Sequence, residues 1–246
     1  MSEEVTLINI QNRFLNAVYS DFLDKCSEIE RYIEFVDRLD SGRNNTLNQI
    51  DNISRQEVSF PLNDDLNKTL RASTYILIYN LLESTMCDSL DAIHETIKDE
   101  QIDFLQLSDS FKKIVFSNFR KIFSEKQIDE ILRNEIDIRV DILSHGYDKR
   151  DLFSGNLDCD TINKYSKKYQ FLIHPSGDST RVYKPEHIKE IRRKRNALAH
   201  GSLSFFECGR DTVVFSLKSK FVDAKNLLLS VFQGIDKSLS QKKYLR

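Results

Sequence analysis

The run Ile191-Arg-Arg-Lys-Arg-Asn-Ala-Leu-Ala-His200-Gly201 gathers four consecutive cations, an amide and an imidazole. If it is helical, residues four apart lie nearly above one another, so Arg192, Asn196 and His200 share one ridge. Arg195 stands about 100° round from Asn196 at 3.6 residues per turn. Ile191 and Leu198 fall on another side and suit a core, while the small Ala197 and Ala199 let another surface come close. The C-terminal end of a helix favours positive charge, and with it the imidazolium form of His200. An imidazole so placed can give or take a proton. Guanidinium groups beside it would bind a phosphodiester and offset the charge that grows on it. Arg195, His200 and Asn196 are among the candidate site residues, Asn196 either orienting the imidazole or hydrogen-bonding a phosphate oxygen. Arg192, Arg193 and Lys194 would add affinity for an RNA backbone. These groups suffice to cleave RNA through its own 2′-hydroxyl, with no metal and no cofactor required.

The elements that must position this run are helices. The chain has 246 residues with only 7 Gly and 3 Pro, and both residue types disfavour helix interiors. Pro185 suits the first turn of a helix over 185–200, and Gly201 is placed to end it. A long amphipathic helix over about 6–40 carries Leu15, Tyr19, Phe22, Cys26, Ile29, Ile33 and Val36 at alternating spacings of 4 and 3, a stripe suited to core packing. Ser41-Gly42 stops it. Residues 44–61 read as a loop with a short strand near Val58 to Phe60. A helix from Asp64 to Asp99 opens the central core, about 62–145. Its middle, Tyr75 to Leu82, is apolar almost all round. Glu83 follows directly, and a carboxylate there needs an Arg or a backbone amide as partner; its functional reading is support of Arg195 or His200. Phe111 to Ile122 suggests a third helix, and Ile128 to Leu132 could begin a fourth. Residues 136–142 alternate apolar and charged, so strand and helix both stay open there. Asp160 could cap a short helix over Thr161 to Tyr169, His174 to Gly177 reads as a turn, and Thr212 to Leu217 as a short strand. A last helix over about 219–242 carries Phe221, Ala224, Leu228, Val231 and Ile235. The expected architecture is mainly α, a single antiparallel helical bundle over 1–246 with long helices and at most one small β-hairpin.

The formal net charge of −2 hides a split: from Arg181 onward there are 15 Lys or Arg against 6 Asp or Glu. A basic C-terminal third suits a polyanion. No apolar run is long enough to span a membrane, and the acidic start Met1-Ser2-Glu3-Glu4 does not resemble a signal peptide, so a cytoplasmic protein is expected. Cys26, Cys87, Cys159 and Cys208 form no CxxC pair and read as inert thiols. His94, His145, His174 and His187 share no metal-ligand spacing and read as surface or structural residues, with His145 next in line for testing. The Lys237 to Arg246 tail reads as a solvated end.

An Arg with a His five positions on should arise by chance in roughly a quarter of chains this long, whereas adding Asn directly after the Arg lowers this to on the order of 1%. Arg195-Asn196-x-x-x-His200 resembles the Arg-x4–6-His motif of HEPN proteins. Tyr79-Asn80-Leu-Leu-Glu83, Leu152-Phe-Ser-Gly-Asn156 and Ala199-His-Gly-Ser-Leu-Ser-Phe205 resemble its MAE-type branch of HEPN-like nucleases. The resemblance implies an all-α bundle that dimerises and brings two motifs into one cleft, with Arg195 and His200 as the catalytic pair and Asn196 assisting. It also implies an endoribonuclease of a toxin–antitoxin or anti-phage system, with RNA as substrate and an antitoxin or other regulatory protein as a possible partner. A homodimer answers a geometric difficulty too, since Arg195 and His200 lie about 140° apart round an ideal helix. The competing readings are a non-catalytic HEPN module that binds RNA, nucleotide or a partner protein, and a helical scaffold with no nucleic-acid role.

Overall fold

The computed structural model describes residues 8–42, 46–53, 55–122, 147–149, 152–153, 155–173 and 182–246. Among them the chain is mainly α, with one small antiparallel hairpin. The helices are α1 (Arg13–Ser41), α2 (Asp64–Asp99), α3 (Asp109–Ile122), α4 (Cys159–Lys168), α5 (Pro185–Ala199), α6 (Phe205–Arg210) and α7 (Val214–Ser240), and the strands are β1 (Thr46–Ile50) and β2 (Glu57–Pro61). The readings at Ile128 to Leu132, at 136–142, at His145 and at His174 to Gly177 lie outside the described residues. The chain divides into two compact units: Met1–Leu23, Leu82–Tyr183 and Lys225–Arg246 make the first, and Asp24–Leu81 with Lys184–Ala224 the second.

In the first unit, α1 begins at Arg13 and not near residue 6. Asn12 sets that start, its side-chain oxygen accepting the Leu15 N–H at 3.0 Å, one of the donors that a first helical turn leaves without a partner. Asp236 fixes the approach by accepting the N–H groups of Gln11 and Asn12 at 3.1 and 3.2 Å. The core gathers Leu15, Tyr19 and Phe22 of α1, Leu82, Met86 and Leu90 of α2, and Leu228, Val231 and Phe232 of α7, all buried. Phe232 meets Tyr19 edge-on at 5.2 Å between ring centroids. The cap of α4 is Asp158, whose side chain accepts the Thr161 N–H at 2.9 Å; the expected cap, Asp160, lies in the first turn instead. The C-terminal tail is not a solvated end. Tyr244 is buried, its hydroxyl donates to Glu100 at 2.7 Å, and its carbonyl accepts the Ser108 N–H at 2.8 Å.

His94 is buried in this unit, with Nε2 2.9 Å from the Tyr169 hydroxyl and its ring stacked on Tyr147 at 3.8 Å. Burial, and after it the Lys168 ammonium, pushes its pKa down from 6.5 to about 3. The neutral ring is therefore the form that folding favours. The stability it contributes is present above 6.5 and is lost as pH falls from there toward 3, by up to about 1.4 kcal/mol per pH unit. Denaturant melts at pH 7, 5 and 4 should show a shallower loss for His94→Gln, which cannot titrate, than for the wild type. Equal slopes would show that His94 is not the group responsible.

The second unit buries Cys26, Ile29, Ile33 and Val36 of α1, so the expected stripe lies along one buried face. The β1–β2 hairpin pairs Thr46 with Pro61 and Ile50 with Glu57, and every residue of β2 is exposed. Helix α2 runs from Asp64 to Asp99 as its pattern predicts, with Tyr75, Ile78, Tyr79 and Leu81 buried. The strand expected at Thr212 to Leu217 is absent, because α7 starts at Val214. The β-branched run Thr212-Val213-Val214 suggested a strand. Buried Val214, Leu217, Phe221 and Ala224, spaced 3, 4 and 3 apart, follow the helical period instead.

Candidate active site

Helix α5 starts with Pro185 in its first turn and ends at Ala199, leaving His200 as the capping residue. Gly201 has φ +69°, a conformation that glycine adopts without the strain a Cβ brings. An added Cβ there would meet nothing within 4 Å, so the need for glycine is conformational. The terminal carbonyls are taken up locally. Leu198 accepts the Gly201 N–H at 3.2 Å, and Ala197 accepts the Leu203 N–H at 3.2 Å and the Ser202 hydroxyl at 3.2 Å. The chain therefore turns back against the last turn of α5 immediately after His200.

The buried face of α5 is Ile188, Ile191 and Leu198, and polar anchors flank it. Glu190 accepts the Tyr75 hydroxyl at 3.1 Å and pairs with the buried Lys220 ammonium at 3.2 Å. Lys220 also donates to the Ser216 hydroxyl. Burial, followed by the Glu190 carboxylate, raises the Tyr75 pKa well above the ordinary phenol range, so its hydroxyl stays protonated and donating. His187 Nδ1 lies 2.5 Å from the Asp223 carboxylate in a half-buried pair, which accords with its structural reading.

One turn nearer the helix end, the Arg195 guanidinium carbon sits over the ring of fully buried Tyr79, 4.5 Å from its centroid. Arg195 Nη1 donates to the Asn196 side-chain oxygen at 3.0 Å. An aromatic face and a neighbouring amide thus hold the cation in a half-exposed position, and attraction of this kind is worth about 0.5–2 kcal/mol depending on desolvation. Asn196 therefore orients Arg195 through its oxygen, with its amide N–H groups on the same side chain as hydrogen-bond donors.

His200 is exposed, and among the described residues no hydrogen bond or ion pair engages its imidazole. Arg192 and Lys194 are half-exposed and Arg193 is exposed on the same helix, so the phosphate-binding candidates lie at or near solvent. Glu83 belongs to the first unit, where its carboxylate accepts the Gly155 N–H at 2.9 Å. That contact is the backbone-amide partner its position in α2 calls for.

Sequence reasoning missed the Tyr79–Arg195 stack and the Glu190–Lys220 pair. Tyr79 read as core, and only its aromatic type on a buried helix hinted at a cation partner. Nothing local marked Lys220 as buried, because lysine usually keeps its ammonium in water. The four cysteines are free thiols, and burial pushes the Cys87 pKa up to about 12, which fits inertness. Among the described residues, no helix is long and apolar enough to cross a membrane.

No curated protein and no solved structure matches the chain significantly. The family described as MAE_28990-like HEPN matches residues 14–244, a span holding all but the first residue of α1, the whole of α2 through α7 and all of the Arg195 to Gly201 run. On that match, which covers nearly the whole sequence, the chain belongs to the MAE_28990-like HEPN family.

Proposed function

We propose that this protein is a metal-independent endoribonuclease, acting as a toxin or anti-phage effector, that cleaves RNA by 2′-hydroxyl attack at a site shared by two chains. One observation carries the reading: Arg195 is held over Tyr79 and by Asn196 at the end of α5, while His200 stands exposed where that helix stops. A guanidinium fixed in this way binds a phosphodiester without first paying the entropy of being ordered. The 2′-oxygen forms a bond to the adjacent phosphorus as the bond from phosphorus to the 5′-oxygen breaks. His200 acts as general base or acid in moving the proton from the 2′-hydroxyl toward the leaving 5′-oxygen. Arg195 offsets the charge that builds on the non-bridging oxygens, and Arg192, Arg193 and Lys194 add backbone affinity. The products are a 2′,3′-cyclic phosphate and a 5′-hydroxyl.

The test is incubation of purified wild type and His200→Ala with total RNA in EDTA, followed by mapping of the ends. Cleavage with those ends by the wild type, absent from the variant, is the expected result. Wild-type activity in His200→Ala would overturn the proposal.

A further inference from the structure

The β1–β2 hairpin forms a two-stranded sheet, and a hairpin of that size alone is at best marginally stable in water. Every described side chain of its two strands is exposed, Ile50 at 65% and Phe60 at 50%. Its register shows which backbone groups are left to pair. The Asp51 N–H donates to the Gln56 carbonyl at 2.9 Å, so that pair bonds inward, and in an antiparallel ladder bonded pairs alternate with unbonded ones. The inward pairs are therefore Gln49 with Val58 and Leu47 with Phe60, while Thr46, Asn48 and Ile50 turn their N–H and C=O groups away from β2. On β2 the outward residues are Glu57, Ser59 and Pro61. The two edges differ. That of β2 presents a carboxylate and a proline without an N–H, devices that protect an edge from pairing. That of β1 presents three residues with donor and acceptor intact, and the strand carries no charge. Among the described residues no further strand covers it.

We propose that β1 pairs antiparallel with β1 of a second copy of the chain, joining two hairpins into one four-stranded sheet. The strand is complementary to itself. With a two-fold axis at Asn48, that residue faces its own counterpart, and Thr46 of each copy faces Ile50 of the other. All these pairs have the phase that exchanges two hydrogen bonds, so each outward N–H and C=O of β1 finds a partner. The β-branched side chains of Thr46 and Ile50 meet across the new strand pair, a favourable combination. No like charges meet, because β1 has none. The same operation on β2, centred on Ser59, would set Glu57 against Pro61 and lose a donor at each such pair. A strand from a different protein would require no such symmetry in β1. The inference concerns assembly, and it stands whether or not the protein cleaves RNA.

The experiment places single cysteines in the full chain. Asn48→Cys sets two thiols in a bonded pair whose Cα atoms lie about 5.5 Å apart, within the span of a disulfide. Mild oxidation in dilute solution should convert at least about half of this variant to a covalent dimer on a non-reducing gel. Ser59→Cys, on the outer edge of β2, and the wild type with its native thiols should run as monomers on the same gel. Asn48→Pro removes an outward N–H and no bond within the hairpin. It should raise the Kd of the dimer at least about tenfold in sedimentation. Cross-linking of Ser59→Cys as strong as that of Asn48→Cys, or none in either, would overturn the sheet. So would a wild type that sediments as a monomer, or an Asn48→Pro dimer as tight as the wild type's. A cross-link at position 48 in a protein that cleaves no RNA would keep the sheet and overturn the nuclease reading. Cleavage of RNA with no cross-link there would do the reverse.

Discussion

Arg195→Ala and His200→Ala are each expected to cut RNA cleavage by about a thousandfold or more. An equal mixture of the two inactive proteins, co-expressed so that mixed dimers form, should recover up to about a quarter of wild-type activity. The losses follow from the division of labour at the end of α5. Without its guanidinium the site loses the cation that Tyr79 and Asn196 hold in place. Without the imidazole no described neighbour at the helix end replaces the proton carrier. The recovery follows from helix geometry. Five residues turn an ideal helix through about 140°, and the structure draws Arg195 onto the ring of buried Tyr79 while His200 stays in solvent. A two-fold partner can supply the missing side, and a mixed dimer keeps one intact Arg195 and one intact His200 on opposite chains. Random pairing makes half the dimers mixed, each with one of two functional pairs. A mixture as inactive as its components, with mixed dimers verified by affinity tags of two kinds, would mean that each chain carries a complete site or that the proposed chemistry is wrong.

The parts of this site that were legible in the sequence are those coded locally. Pro185 and Gly201 bracket α5 because a fixed φ starts a helix cheaply and a positive φ ends it. The long helix α2 is legible because its apolar middle, Tyr75 to Leu82, lies in a thirty-six-residue stretch that holds no Gly or Pro to break it. Residues 212–217 mislead because their local chemistry and their tertiary setting disagree. Three β-branched or hydroxylated side chains in a row favour a strand locally, but the helical spacing that continues through Phe221 and Ala224 buries more surface. The start of α1 was set by Asn12 and by Asp236, which belongs to α7 and lies far along the chain. Tyr79 under Arg195 and Lys220 beside Glu190 are likewise pairings between distant segments. The motif named the chemical groups; the partners that hold them came only with tertiary structure.

Of those partners, Glu190 should matter most to stability. Lys220 is almost fully buried, with a side chain 4% exposed, whereas Glu190 is 31% exposed. Glu190→Gln keeps the shape and an acceptor for the Tyr75 hydroxyl but leaves the buried ammonium without its counter-charge. Breaking a buried pair from one side costs about 3–5 kcal/mol, and the partial exposure of Glu190 brings the expectation to about 2–4 kcal/mol. In a chain of this size that lowers Tm by roughly 5–15 °C. Replacing both partners, Glu190→Leu with Lys220→Met, removes the uncompensated charge as well as the pair, and should return most of the loss because apolar packing of similar volume substitutes for a buried ion pair. The measurement is a double-mutant cycle by denaturant unfolding whose corners are the wild type, Glu190→Leu, Lys220→Met and the double variant, with Glu190→Gln measured beside it. Additive single effects would show that the pair contributes no coupling. A coupling of 2 kcal/mol or more, with Glu190→Gln far worse than the double variant, would show that α5 and its Arg195 are carried by a charge pair that the sequence does not reveal.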